Sequence, residues 1–96
     1  MSNIYIARSR KYVVDLAETI VSGGNWLFIK HVIFFPTDVN QMFIIQHADG
    51  KEAIKLRSGA SDNSPIHIWF DFDGFKIDGL KIAQIDGGIA DIYLKD

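Results

Sequence analysis

The side chains in this 96-residue chain best suited to bind a metal or move a proton are three histidines, His31, His47 and His67. A metal site needs three or four ligands converging within about 2.0 to 2.6 Å of one ion, and neither H-x-H nor H-E-x-x-H spacing is present to enforce that. Asp71-Phe72-Asp73-Gly74 opens like a calcium loop, but counting from Asp71 places Phe75 and Ile82 where oxygen ligands belong. Strand histidines and a turn rich in Asp and Gly are the simpler reading, so no metal and no cofactor is expected.

Nucleophilic chemistry has no anchor. There is no cysteine and no G-x-S-x-G, and Ser2, Ser9, Ser22, Ser58, Ser61 and Ser64 lack an activating context. Asp71, Asp73, Asp78 and Asp86 could supply a glycosidase-type carboxylate pair, yet all lie in or beside expected turns. Gly23-Gly24 and Gly87-Gly88 lack a following helix and a G-K-[ST] ending, so a phosphate cradle is not indicated. The expectation is a protein that is not an enzyme and has no catalytic residues.

Two sets of residues remain as candidates for binding. Arg8, Arg10 and Lys11 form the one basic cluster, flanked by Tyr5 and Tyr12. Such a set could contact phosphates and stack bases, but three charges in a chain of net charge −2 argue for a protein contact over nucleic acid. The second set is Trp69, Asp71, Asp91 and Tyr93, aromatic and acidic residues on the polar parity of expected strands, where rings could stack on a sugar and carboxylates could take its hydroxyls.

The elements that would carry these residues read almost entirely as strands. Short β-branched or aromatic stretches recur every 8 to 12 residues or so, as expected of a sandwich or small barrel. They cover residues 4–7, 12–16, 26–35, 41–47, 52–56, 66–72, 75–77, 80–85 and the end of the chain. Residues 11–21 admit both strand and helix, since Val13, Leu16, Ala17 and Ile20 recur at helical spacing. Ser22-Gly23-Gly24-Asn25 is expected to break the chain, and Asp49-Gly50, Asp73-Gly74, Asp78-Gly79 and Asp86-Gly87 to turn it. Parallel order would need crossover helices, and the chain after Ile20 has no helical pattern of that length. The predicted fold is therefore all-β: one antiparallel, jelly-roll-like β-sandwich of seven or eight short strands over residues 1–96, with 1–22 as an N-terminal arm or edge strand.

A chain of this length buries only about 60 to 65% of its unfolded surface. Hydrophobic residues nevertheless make up 48% of it, including two Trp, three Tyr and seven Phe. In Trp26 to Phe35 both parities are apolar, with Trp26, Phe28, Val32 and Phe34 on one side and Leu27, Ile29, Ile33 and Phe35 on the other. A sandwich strand normally buries one side only. Either a bulge or the N-terminal segment covers the second side, or another protein does. Lys30 and His31 interrupt the run, which is too short to span a bilayer, and the first residues do not read as a secretion signal.

Gly24-Asn25-Trp26-Leu27, Asp49-Gly50-Lys51, Phe72-Asp73-Gly74, Gly79-Leu80-Lys81-Ile82, Gly87-Gly88 and Asp91-Ile92-Tyr93-Leu94 together resemble the small β-sandwich structural proteins of tailed bacteriophages, the capsid cement or decoration type. The likeness spans roughly residues 24 to 96 and omits the basic, tyrosine-containing N-terminal segment. It implies a virion protein assembled in the host cytoplasm, a homo-oligomer bound to capsid or other virion proteins and not to membrane. On that reading Ile4, Tyr5, Ile6, Arg8, Arg10 and Lys11 form an interface arm, and Phe34 and Phe35 are apolar anchors. The alternative is a carbohydrate-binding β-sandwich module using Trp69, Asp71, Asp91 and Tyr93.

Overall fold

A computed structural model describes residues 3–70 and 73–95. Eight strands form one antiparallel sheet: β1 (Ile4–Ile6), β2 (Lys11–Val14), β3 (Thr19–Phe35), β4 (Met42–Gln46), β5 (Glu52–Arg57), β6 (Ile66–Trp69), β7 (Phe75–Ile85) and β8 (Ile89–Leu94). Their order is β1-β2-β8-β3-β7-β4-β5, with β6 also paired to β3. Among the described residues the one helical element is a 3-10 turn, Ala7–Ser9, joining β1 to β2. The helical alternative for residues 11–21 is thereby overturned: Val13 and Val14 alternate across a strand, and Val14 is fully buried.

β3 organises the molecule because it belongs to both halves of the sheet. Residues 19–29 pair with β7 on one edge, and residues 29–35 pair with β8 on the other. The sheet closes over itself as a sandwich-like fold, and its two halves meet through Phe34 of β3 and Phe43 of β4, whose rings stack 5.4 Å apart. Around them lie Val14, Ile29, Val32, Ile45, Ile54, Leu56, Ile77, Leu80, Ile82, Ala90 and Ile92. At about 25 cal/mol per Å2 of apolar area removed from water, this cluster is the main favourable term in folding.

Pairing with β8 shifts register between Ile29 and His31. The extra residue, Lys30, reverses the inward parity of β3, so that Ile29 is buried before it and Val32 and Phe34 after it. That bulge is why buried residues fall on both parities of the segment, while the apolar residues opposite them, Trp26, Phe28 and Phe35, remain exposed. It also corrects the expectation for Phe34, which is fully buried in the core and not an interface anchor.

Three expected breaks do not reverse the chain, and two of them lie within strands. Residues 22–25 lie inside β3, where the pairing with β7 slips between Val21 and Trp26. Asp73-Gly74 does not reverse the chain, because β6 and β7 both run antiparallel to β3 and follow one another along the same edge. Asp78-Gly79 lies inside β7, where Asp78 accepts a hydrogen bond from the Gly24 N–H at 2.7 Å and its carbonyl accepts one from Ala48 at 2.9 Å. The other two Asp-Gly pairs turn the chain as expected: residues 49–50 close the β4–β5 hairpin, and residues 86–88 carry the chain from β7 to β8, which lie on opposite edges of β3. Asp86 accepts hydrogen bonds from the Met42 N–H at 2.9 Å and the Gln84 amide at 2.7 Å, which together hold its pKa below the usual carboxylate value.

Gly50 and Gly79 both have positive φ, 94° and 73°, but their surroundings differ. A Cβ at Gly50 would meet nothing within 4 Å, whereas one at Gly79 would lie 2.6 Å from the Ala48 Cβ and 2.8 Å from the Val21 carbonyl oxygen. Gly50→Ala should therefore cost about 1–2 kcal/mol from backbone strain alone. Gly79→Ala should cost about 1–3 kcal/mol more through overpacking. Urea unfolding of the two variants beside the parent checks this, and equal losses would contradict the packing account.

Candidate functional site

The outer face of the β6-β3-β8-β2-β1 half collects most of the residues that sequence reasoning singled out. Strand register sets them in rows. The first runs Trp69, His31, Tyr93, Lys11, Ile6; the second runs His67, Ile33, Asp91, Val13, Ile4; Phe35 and Ile89 pair in a third. Alternation along each strand carries the intervening residues inward, which is why Val32, Phe34, Ala90, Ile92 and Val14 lie in the core.

The first row is a stack of rings. The His31 imidazole lies face to face with Trp69, centroids 3.3 Å apart and planes within 11°. Tyr93 flanks it on the other side at 5.6 Å and 17°. Trp69 is 66% exposed and shields His31, which is 6% exposed. His67 completes the group, its Nδ1 standing 3.3 Å from His31 Nε2. That hydrogen bond needs one nitrogen to donate and the other to accept, so the pair cannot keep it with both rings doubly protonated.

Next to the rings, Lys11 Nζ lies 3.3 Å from Asp91 Oδ2, 3.4 Å from the Tyr93 hydroxyl and 5.2 Å from the Tyr93 ring centroid. Partial burial works against the Lys11 charge, but the hydrogen bonds to Tyr93 and Asp91 and the Asp91 charge outweigh it and raise the pKa. Beyond this ion pair the face is apolar. Val13, Phe35, Pro36 and Ile89 wall an open groove of about 580 Å3, with Lys11 and Asp91 at its edge. Phe35 is 39% and Ile89 38% exposed.

Of the expected interface residues, Ile4, Ile6, Lys11 and Phe35 share this face. Tyr5 points to the opposite side of β1, its ring 4.7 Å from that of Tyr12. Arg8 and Arg10 are exposed at the turn between β1 and β2, away from the rows. Of the expected sugar contacts, Trp69, Asp91 and Tyr93 come together here, and Asp71 lies outside the described residues. His31, Ile33, Val13 and Ile89 also belong to the face and were not anticipated. Only cross-strand register, which one sequence does not display, would have revealed them. His47 is elsewhere, its Nδ1 accepting the Asp78 N–H at 3.2 Å. Among the described residues no three His, Cys, Asp or Glu side chains are grouped to hold a metal.

A second apolar exposure lies on the outer face of the other half. Trp26 is 55% and Phe28 42% exposed, and Lys76 Nζ sits 4.5 Å over the Trp26 ring. The cation covers one face of the Trp26 ring.

Burial, then the neighbouring charges of His67 and Lys30, push the His31 pKa below its ordinary 6.5. The unfolded chain therefore binds a proton that the folded chain resists. Stability from this group is complete above about pH 6.5 and falls as the pH drops through that value to the lowered folded pKa. Urea midpoints measured at pH 7.5 and pH 5 should decline in the parent and decline less in His31→Gln, and an unchanged slope in the variant would remove His31 from the account.

Comparison of the chain with protein-family models, with curated proteins and with solved structures finds no match.

Proposed function

We propose that this protein is a non-enzymatic structural protein that stabilises an assembly by docking the outer face of its β6-β3-β8-β2-β1 half onto another protein. The observation that carries the reading is the gathering of Ile4, Val13, Ile33, Phe35 and Ile89 around Asp91 on adjacent strands, with Val13, Phe35 and Ile89 walling an open apolar groove. Sandwich proteins usually wet their outer faces, and an apolar outer face rimmed by polar groups is the common form of a protein-binding surface. The resemblance to capsid cement proteins makes a tailed-phage shell the assembly of choice. On such a lattice the protein acts by mass action: whatever binds only the assembled form adds free energy to it.

The test is co-sedimentation of the full chain with empty phage shells built from the capsid protein of the same genome. The parent should pellet with the shells. Ile89→Lys places a charge in the apolar groove at a position exposed enough to tolerate it, and should weaken binding about tenfold or more. A parent that stays in the supernatant as a strict monomer would defeat the reading.

A second reading, a carbohydrate-binding module, is favoured by one observation, the gathering of exposed Trp69 with Tyr93 and Asp91 on a single face. Trp69 already uses one ring face on His31, which leaves the other for a sugar. Binding on a glycan array that disappears in Trp69→Ala would support this reading, and a blank array would end it.

A further inference from the structure

Among the described residues, β1 and β5 at the two ends of the strand order and β6, paired only with β3, each carry an open edge. Such an edge offers unpaired N–H and C=O groups to any extended chain, and proteins usually blunt it with charges, proline or bulges. β5 presents exposed Glu52, Lys55 and Arg57, while β6 follows Pro65 directly. β1 is blunted only by its shortness, three residues, and carries no charge, proline or bulge of its own. It reads Ile4-Tyr5-Ile6, it pairs with β2 without a register shift, and Ile4 is 51% and Tyr5 45% exposed.

The sequence of β1 is also a palindrome. Antiparallel pairing with a second β1 about a twofold axis beside Tyr5 sets Ile4 opposite the partner's Ile6 and Tyr5 opposite the partner's Tyr5. On the outer face the two Ile pairs would extend the apolar end of the row formed by Ile4 and Val13. On the other face the Tyr5–Tyr12 ring contact would continue into the partner as a ladder of four rings. Cross-strand aromatic and β-branched pairs are the stabilising units of a sheet, and an isologous contact needs this kind of self-complementarity. We propose that β1 is a strand-addition site for a second copy of this chain, paired antiparallel with the partner's β1 across a twofold axis at Tyr5.

Three residues exchange few hydrogen bonds, so the pairing is weak between free molecules. It gains strength where many copies are held close together, as on a lattice. In this sense the inference rests on the assembly reading and names one partner for it.

The absence of cysteine gives a direct test, because any introduced thiol is the sole one in the chain. In the proposed pair the two residue-5 Cα atoms lie about 4.5–5.5 Å apart, within disulfide reach. The two residue-4 Cα atoms would be about 8–9 Å apart, beyond it. Under mild oxidation, Tyr5→Cys should form a covalent dimer about tenfold faster than Ile4→Cys alone or than Ser61→Cys in an exposed loop. An equimolar mixture of Ile4→Cys and Ile6→Cys should also cross-link, which keeps the test alive if Tyr5→Cys folds poorly. Equal rates for Tyr5→Cys and Ser61→Cys, together with no mixed Ile4→Cys/Ile6→Cys dimer, would overturn the proposal. Loss of the Tyr5→Cys cross-link on adding Ile89→Lys would also overturn it, since the contact would then belong to the groove face. Shell binding by the parent chain, together with failure of both the Tyr5→Cys and the mixed Ile4→Cys/Ile6→Cys cross-links, leaves the docking reading intact and removes only the strand pairing.

Discussion

One strand serves both halves of this molecule, and its inward side must change hands partway along. β3 runs for 17 residues, far beyond the usual five or six, and pairs first with β7 and then with β8 and β6. A regular strand keeps one parity inward throughout, so it could not feed a core that moves from one side to the other. The bulge at Lys30 makes the change. With it, Ile29, Val32 and Phe34 are all buried, and Phe34 reaches Phe43 across the sandwich. The same step turns His31, Ile33 and Phe35 outward into register with Tyr93, Asp91 and Ile89. The core contact and the outer face thus share one cause.

The strands that obey simple alternation were readable from sequence. β5, with Ile54 and Leu56 buried against exposed Lys55 and Arg57, follows the period of two, and so does β8 with Ala90 and Ile92. What the alternation rule could not supply were the places where register slips. Asp-Gly looks the same whether it closes a hairpin, as at residues 49–50, or kinks a continuous strand, as at residues 78–79. In both cases a glycine supplies positive φ, and only the partner strand decides which outcome follows. The gathering of Trp69, Asp91 and Tyr93 was partly visible, because each occupies the polar parity of its strand. The insertion of His31 between two of the rings was not, since its orientation depends on the bulge. Asn3 is a similar case: its side chain accepts hydrogen bonds from the Asp15 and Leu16 N–H groups and donates to the Leu16 carbonyl. It braces the segment after β2 in a way that no local pattern marks.

The outer face joins two chemistries of unequal energetic weight. The Lys11–Asp91 pair is partly buried, so the desolvation of both charges offsets much of their attraction and the pair adds little to folding. Its place beside an apolar groove gives it another role. It interrupts what would otherwise be an unbroken greasy surface and offers a donor and an acceptor at the groove edge. Phe35 and Ile89 are 39% and 38% exposed, so covering that remainder gains about 0.6–1.2 kcal/mol each, and the gains add over every apolar residue of the face. Affinity would come from the apolar residues, and register of docking from the polar ones.

The ring stack shows why a face of this kind suits reversible association better than permanent burial. Stacked aromatic neighbours gain about 0.5–1.5 kcal/mol beyond their area, so Trp69, His31 and Tyr93 hold one another in place before any partner arrives. A surface ordered in advance loses little side-chain entropy on binding, and more of the gross contact energy appears as affinity. The hydrogen bond between His31 and His67 adds a condition to that order, because it requires that the two imidazoles not both be fully protonated. Acidification would therefore act first on β6, a four-residue strand paired only with β3, and so on one margin of the docking face. The groove walls formed by Val13, Phe35 and Ile89 belong to strands fixed in the core through Val14, Phe34 and Ala90, and would keep their shape while that margin loosens.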